Sequence, residues 1–321
     1  MTIAEGVVVM KRRLNGIWRL TRFTEYVSFV LFTTFLGAAA GGGVWGWRLI
    51  TVLAANWLAV GFAFMINDVE DAPDDAINPA KMLRNPVSSG DISTRSARLS
   101  SFAAAIAAAV LYAWLGWWPF LVGVSCLTLA FLYSSRDVRL KAIPVADLVS
   151  HALMLAGLQF LAAYMTFEGG PSWQWVFPLA FVSAISLYGQ LFNELRDLEG
   201  DLKAGVRHTA SLVGPRYAHL LMMTWIVIGV ASAVVIVFIL RMIPTWVLVL
   251  MAVAAAVLAL RPLLSLRRGA TAVELHGPFQ KPLEIAGAFA LLAWFAFPSV
   301  LALLAPWVGP AAQRLTVIIA R

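Results

Sequence analysis

Long apolar stretches alternate with short polar segments along almost the whole chain. Each stretch is close to the roughly 20 residues that cross a bilayer as a helix, at about 1.5 Å of rise per residue. The pattern predicts a single all-α integral membrane domain over residues 1–321, with a basic N-terminal segment at 1–21 that is not a cleaved signal peptide. The nine predicted membrane spans are Phe23–Gly41, Trp45–Ile66, Ser96–Trp114, Trp117–Tyr133, Val145–Thr166, Val176–Phe192, Tyr217–Leu240, Thr245–Leu260 and Leu283–Leu304.

Composition excludes a water-soluble domain. Hydrophobic residues make up 61% of the chain and charged residues 13%, whereas roughly half of the residues of a soluble domain are apolar. The mean hydropathy is +0.82. Cys126 is the single cysteine, which excludes an internal disulfide and a metal site built on several cysteines.

The distribution of basic residues predicts the orientation in the membrane. A net charge of +7 would suggest nucleic acid for a soluble protein, but lysines and arginines also mark the cytoplasmic side of membrane proteins. With nine spans, 20 of the 24 basic residues share one side, and Arg48, Arg241, Arg314 and Arg321 lie on the other. We therefore expect an inner-membrane protein with a cytoplasmic N-terminus and no nucleic-acid partner.

Two acidic motifs with the same period follow the second and sixth spans. Each reads N-x-x-x-D-x-x-x-D, first at Asn67, Asp71 and Asp75 and then at Asn193, Asp197 and Asp201. Residues four apart share one face of a helix, so each motif offers a row of oxygen ligands. In the nine-span topology both rows lie on the cytoplasmic side, where they could face each other, although Pro73 is expected to interrupt the first row.

The chemistry of these side chains favours a hard cation. Repulsion between carboxylates and their desolvation near a membrane give no stability reason for the pattern. Oxygen ligands without histidine or cysteine suit Mg²⁺, which proteins commonly bind together with substrate phosphates. A solvated acidic loop is the alternative explanation for either motif taken alone.

The two motifs resemble those of the UbiA superfamily of intramembrane prenyltransferases. Asn67, Asp68, Asp71 and Asp75 match the family's NDxxDxxxD pattern, and residues 193–201 are similar to its second Asp-rich motif. Two features differ: the second motif opens with Asn193, and the basic-proline segment reads Arg84-Asn85-Pro86-Val87. The identity of the acceptor stays open.

The resemblance implies a helical bundle around a central, lipid-accessible cavity, capped by cytoplasmic loops at residues 67–95 and 193–216. It implies two Mg²⁺ ions, an isoprenyl diphosphate donor and a hydrophobic acceptor, with Asp68, Asp71 and Asp197 as catalytic residues. The expected metal ligands are Asn67, Asp68, Asp71, Asp75, Asn193, Asp197 and Asp201. The expected diphosphate ligands are Arg84, Lys141, Lys203 and Arg207.

The implied reaction is Mg²⁺-dependent ionisation of the allylic diphosphate, followed by capture of the cation by the acceptor. A membrane terpene cyclase of the same superfamily is one alternative. An ion-coupled transporter is another, but the acidic residues cluster at the ends of spans rather than at mid-membrane.

Several further side chains have competing interpretations. Tyr133 and Tyr188 are candidates for a prenyl or cation pocket, because aromatic faces attract cations. His208 is interpreted as a solvated loop residue, and the basic residues from Lys11 to Arg22 as lipid-headgroup anchors. His151, one turn after Asp147, either touches the acceptor or forms an interhelical polar pair.

Overall fold

The structure is a computed structural model that describes residues 14–167, 173–203, 207–265 and 272–308. Every described regular element is helical, beginning with a short helix at residues 14–21. The next ten helices are α1 (Phe23–Ala40), α2 (Trp47–Asp75), α3 (Pro79–Arg84), α4 (Thr94–Leu115), α5 (Trp117–Ser134), α6 (Ala146–Thr166), α7 (Val176–Lys203), α8 (Thr209–Val234), α9 (Thr245–Ser265) and α10 (Ala272–Val308).

Eight described helices are long and apolar enough to cross a membrane. The eighth predicted span corresponds to a shorter apolar stretch, Thr245–Leu260, in α9. The outer surface of the bundle is rich in exposed large apolar side chains, such as Leu220, Val227 and Val230 on α8. In a water-soluble protein such a surface would favour aggregation, whereas in lipid it is the solvated surface. The chain is a multi-pass membrane protein.

The two helices that carry the acidic motifs extend beyond the apolar spans. The hydrophobic pattern predicts ends near Ile66 and Phe192, yet α2 continues to Asp75 and α7 to Lys203. The motifs therefore lie on helical extensions, and the cap-loop prediction is wrong for them. Pro73 does not interrupt α2, because it lies two residues before the helix end, where its missing N–H removes one bond of the ladder.

Close helix contacts bring the bundle together. Helix α1 contacts α2, α6 and α10, while α7 packs along α8 and α2 packs along α4. At Gly37 of α1, a Cβ atom would lie 2.4 Å from the backbone oxygen of Phe160 in α6. Glycine is required there because the two backbones approach so closely, as is common where membrane helices pack.

A buried polar network crosslinks four helices inside the bundle. The Asn56 side chain of α2 donates to Thr34 Oγ1 of α1 at 2.8 Å and to the Gln159 backbone oxygen of α6 at 3.1 Å. Its Oδ1 accepts from the Tyr112 hydroxyl of α4 at 2.6 Å. Because lipid offers no hydrogen bonds, these partners fix how the four helices lie against one another.

Candidate functional site

Both acidic motifs line one cavity of about 1190 Å³, which we call the acidic cavity. The α2 side supplies Asn67, Asp71 and Asp75, and the α7 side supplies Asn193 and Asp197. The four-residue period places these side chains on one face of each helix, and the packing of the bundle turns the two faces towards the same space. The side chains of Asp201 and Lys203, which the sequence also predicted here, lie outside the described residues.

A lysine ammonium lies against the first motif. Lys141 Nζ donates to Asn67 Oδ1 at 2.9 Å and to the two carboxylate oxygens of Asp71 at 2.5 and 2.6 Å. Its side chain is 15% exposed and that of Asp71 is 19% exposed, so the ion pair is largely sheltered from water. These oxygens already hold a positive charge between them.

Arg139 is a second cation beside the first motif, and the sequence analysis missed it. Its guanidinium lies 2.8 Å from Asp74 Oδ2 and 3.7 Å from Asp71 Oδ1, and it lines the acidic cavity. The residue has a positive φ of 49°, an uncommon conformation that bends the segment after α5 back towards α2. The spacing of basic residues gave no signal for this turn.

Asp68 does not line the acidic cavity as its predicted metal role required. One residue along a helix turns the side chain by about 100°, and Asp68 faces Arg22, whose Nη1 lies 3.3 Å from Asp68 Oδ1. The Asp68 carboxylate is buried, and its second oxygen has no hydrogen-bond partner among the described residues. The same pair contradicts the lipid-anchor interpretation of Arg22.

Asn85 ties the segment after α3 to the first motif. Its amide donates to the Asp68 backbone oxygen at 2.8 Å and to Asp75 Oδ2 at 2.9 Å. Asn85 is buried, so both bonds are shielded from water. Asn85, which belongs to the basic-proline segment that differs from the family's, therefore holds Asp75 in place.

The predicted diphosphate ligands lie in three different places. Lys141 lines the acidic cavity, whereas Arg84 lies on a neighbouring cavity and pairs with Glu25 at 2.8 Å. Arg207 is exposed and is not among the described residues that line either cavity. In the second motif, Asp197 pairs with its neighbour Arg196 at 2.9 Å.

The neighbouring cavity, of about 520 Å³, is called the smaller cavity, and its walls are partly apolar and partly charged. Its apolar lining includes Phe29, Phe64, Leu155 and Ile185, and its charged lining includes Arg22, Glu25, Arg84, Arg196, Lys281 and Glu284. Five residues line both cavities, and these are Asn67, Tyr133, Gln190, Asn193 and Arg196. The two cavities are therefore contiguous, and the smaller one adds an apolar wall to the oxygen-rich acidic cavity.

The two predicted pocket tyrosines differ in position. Tyr133 lies at the junction of the cavities, where its hydroxyl accepts a hydrogen bond from Gln190 Nε2 at 3.3 Å. Tyr188 is two residues before Gln190 on α7, and it packs against the apolar cluster between α7 and α8. It is not among the described residues that line either cavity, because the helix turns it to another face.

A buried polar cluster joins the start of α8 to α6 and α7. Asp147 accepts hydrogen bonds from the backbone N–H and the hydroxyl of Thr209, and Glu194 accepts one from Ala210 N at 2.9 Å. His208 Nδ1 lies 3.3 Å from Glu194 Oε2 and is buried, so the solvated interpretation of His208 is wrong.

The cluster holds the chain in a strained conformation. Val145 N donates to Thr209 Oγ1 at 2.7 Å, and Val145 has a positive φ of 70°, which is costly for a β-branched residue. Oxygens of Asp147 and Glu194 come together with a His208 nitrogen within 4.8 Å. Since backbone N–H groups already bind these carboxylates, we interpret the cluster as a structural crosslink.

The residues of the acidic cavity fit Mg²⁺ by the chemistry of their donor atoms. Asn67, Asp71, Asp75, Asn193 and Asp197 line one space and each carries a side-chain oxygen, and hard divalent cations bind oxygen. The position of the Lys141 ammonium, bridging Asn67 and Asp71, shows that these oxygens can surround a positive charge.

Comparison with known proteins decides the family. A model of the UbiA prenyltransferase family matches residues 28–275, which covers all but the last of the membrane helices. The chain belongs to the UbiA prenyltransferase family. The matched region contains both acidic motifs, Lys141 and the buried cluster around Asp147.

Curated UbiA relatives match part of the chain. A chloroplastic 2-acylphloroglucinol 4-prenyltransferase of Humulus lupulus is 26% identical over 68% of this chain and 50% of its own length. A digeranylgeranylglyceryl phosphate synthase of Methanothrix thermoacetophila is 32% identical over 54% of this chain and 61% of its own. The chain spans about half the length of the plant relatives it matches.

Solved structures of UbiA homologues share the fold. One from Archaeoglobus fulgidus, bound to GPP and Mg²⁺, superposes with a TM-score of 0.62 at 21% identity, covering 87% of this chain and 99% of that one. An apo structure from Aeropyrum pernix gives a TM-score of 0.65 at 19% identity, covering 84% and 96%. These matches establish the all-helical UbiA architecture for this chain.

Proposed function

We propose that this UbiA-family protein is an intramembrane prenyltransferase, which transfers an isoprenyl group from an isoprenyl diphosphate to a hydrophobic acceptor. Mg²⁺ is the proposed cofactor. The orientation that fits the charge distribution has the N-terminus and the acidic cavity on the cytoplasmic side of the inner membrane.

One observation carries the proposal: the two acidic motifs line a single cavity that continues into a smaller cavity, one wall of which is apolar. An isoprenyl diphosphate has the same two-part chemistry, with a charged head and an apolar chain. The head would lie among the oxygen-bearing side chains and the chain would lie along Phe29, Phe64 and Leu155. The named relatives and the GPP-bound neighbour support the same class of substrate.

The motif side chains would hold the metal. Asn67, Asp71 and Asp75 would bind from α2, and Asn193 and Asp197 from α7. Bound Mg²⁺ supplies charge neutralisation of the diphosphate leaving group. Lys141 and Arg139 line the acidic cavity and both contact Asp71. They would therefore lie beside a diphosphate bound there and could donate to its oxygens.

The cavity walls supply the remaining functions. Arg139 offers a planar fork suited to two phosphate oxygens, and Lys141 offers a compact charge. The ring of Tyr133 lies where the two cavities meet, so its face can stabilise positive charge on the allylic carbon. The apolar side chains Phe29, Phe64 and Leu155 would shield the allylic cation from water, which would otherwise capture it.

The test compares two neighbouring residues of α2. Asp71→Asn removes a charge from the acidic cavity, whereas Glu70→Gln is the matched control. Glu70 pairs with Arg98 at 3.1 Å and is not among the described residues that line the cavity. Full-length protein in nanodiscs is incubated with Mg²⁺, geranyl diphosphate and one of three acceptors: a 2-acylphloroglucinol, homogentisate or a prenylglyceryl phosphate.

Diphosphate release and prenylated product are then measured by enzymatic coupling and mass spectrometry. We expect Asp71→Asn to lower the rate at least about 100-fold, which corresponds to about 2.7 kcal/mol, and Glu70→Gln to change it little. Removal of Mg²⁺ with EDTA should stop both signals. Absence of diphosphate release from the native protein with all three acceptors would overturn the proposal.

A further inference from the structure

An imidazole lies on the wall of the smaller cavity, in a position that the proposed diphosphate chemistry does not use. His151 of α6 lines this cavity and is half-buried. Its Nδ1 lies 3.2 Å from Ser186 Oγ of α7. No other hydrogen bond joins the ring to the described part of the chain, so Nε2 is open to a molecule in the cavity.

The ring is close to the place where the donor would ionise. The centroids of the His151 and Tyr133 rings are 6.3 Å apart, and Tyr133 lines both cavities. An acceptor bound in the cavity against both rings would therefore lie beside the imidazole and close to the allylic carbon at the same time. Holding reactants in this way is a large part of enzymatic rate enhancement.

The other charged groups described on this wall are poorly suited to accept a proton. Glu25 is bound by Arg84 at 2.8 Å, and Glu284 by Lys281 at 2.9 Å, so both carboxylates already have a cationic partner. The remaining charged side chains are cationic, and they donate hydrogen bonds but accept none.

We propose that His151 is the general base of the transfer, an inference that rests on the proposed function. In the proposed tautomer Nδ1–H donates to Ser186 Oγ, 3.2 Å away, and the lone pair lies on Nε2. The acceptor is a molecule whose reacting atom carries a proton, either an aromatic carbon or a hydroxyl oxygen, and it binds in the smaller cavity beside this ring.

The proposed transfer breaks one bond, forms one bond and moves one proton. The allylic C–O bond of the donor breaks, and its electron pair leaves with diphosphate. A pair from the acceptor forms the new bond to the allylic carbon, and the proton lost from the reacting atom of the acceptor passes to Nε2. The imidazolium then returns this proton to water, so no oxidant or reductant takes part.

The experiment separates donor ionisation from acceptor deprotonation. His151→Ala and His151→Gln are prepared as full-length protein in nanodiscs with Mg²⁺, geranyl diphosphate and the acceptor most active with the native protein. Diphosphate release without acceptor and prenylated product with acceptor are measured, with and without added imidazole. His151→Gln retains a side chain that can bond to Ser186, so it decides the matter if His151→Ala does not fold.

We expect product formation to fall at least about 100-fold, the usual lower range for a general base. Acceptor-independent diphosphate release should stay within about threefold of native, because ionisation does not need the base. Imidazole should restore product to His151→Ala, which a purely structural role would not allow.

Native-like product formation in the variants would overturn the proposal, as would equal loss of both signals or failure of imidazole to rescue. A native protein that releases no diphosphate would instead reject the proposed function. The two failures are therefore distinguishable in the same assay.

Discussion

Asp68 and Asp71 belong to one motif but have opposite surroundings. Asp71 lines the acidic cavity and contacts Lys141, whereas Asp68 is buried beside Arg22 on another side of α2. Both residues are aspartates, so their side-chain chemistry is the same. Their angular positions on the helix, about 60° apart after three residues, and the approach of Arg22 make them different.

This difference predicts unequal effects of the same substitution. Asp68→Asn should retain most Mg²⁺-dependent diphosphate release but lower the melting temperature, because Arg22 loses its buried carboxylate partner and keeps only the more exposed Glu25 as an acidic partner. The expected destabilisation is about 1–3 kcal/mol, less than for a fully buried pair. Asp71→Asn should show the reverse pattern. Activity assays and thermal melts of both variants provide the measurement, and equal loss of activity would contradict the assignment of Asp68.

Residue-level prediction succeeded where local periodicity decides the outcome. The four-residue spacing placed Asn67, Asp71 and Asp75 on one face, since a helix repeats every 3.6 residues. Burial of His208 and the partner of Arg22 depend on side chains 14 and 46 positions away in sequence. Such contacts are set by helix packing, which one sequence without its three-dimensional partners does not reveal.

The helices differ from the predicted spans mainly at their ends. Apolar patterning identified the cores of α1, α2 and α4–α10, because membrane thickness fixes their length. It could not reveal that α2 and α7 continue as polar helices beyond these cores. Hydropathy reports where lipid ends, whereas helix ends depend on backbone hydrogen bonds that polar residues make equally well.

The crosslink between α6 and the start of α8 has a testable energetic role. Thr209→Val removes the hydroxyl that donates to Asp147 and accepts from Val145 N. Leaving these buried groups unpaired should cost about 1–3 kcal/mol and lower the melting temperature measured in detergent.

The matched control is Thr224→Val on the same helix. The Thr224 hydroxyl bonds to the Leu220 backbone oxygen at 3.0 Å in an exposed position, so its loss should change stability by less than about 0.5 kcal/mol. Equal destabilisation by both substitutions would show that the contact with Asp147 contributes no more stability than an exposed hydrogen bond.

At the scale of the whole molecule, the proposed function needs both motifs at one end of the bundle. Helix α2 ends there at Asp75, and α8 begins there at Thr209. The hairpin between α4 and α5 lies at the opposite end, since α4 begins near the first motif and crosses the bundle once.

Cysteine labelling tests this topology. Ile77→Cys and Leu212→Cys place thiols at the acidic end, and Trp117→Cys places one at the far end; all three positions are well exposed. The native Cys126 is buried and should not react. With a membrane-impermeant maleimide added to one side of sealed vesicles, the first two should label together and the third only from the other side. Labelling of Ile77→Cys and Leu212→Cys from opposite sides would contradict the shared site.

In the proposed binding mode, the join between the two cavities divides recognition of the donor into two independent parts. Substitutions at Ile185 or Leu155, on the apolar wall, would alter how long a hydrocarbon fits without changing any oxygen of the acidic cavity. Selection at these positions would then change the length of the transferred chain while the side chains proposed to hold the diphosphate stay the same.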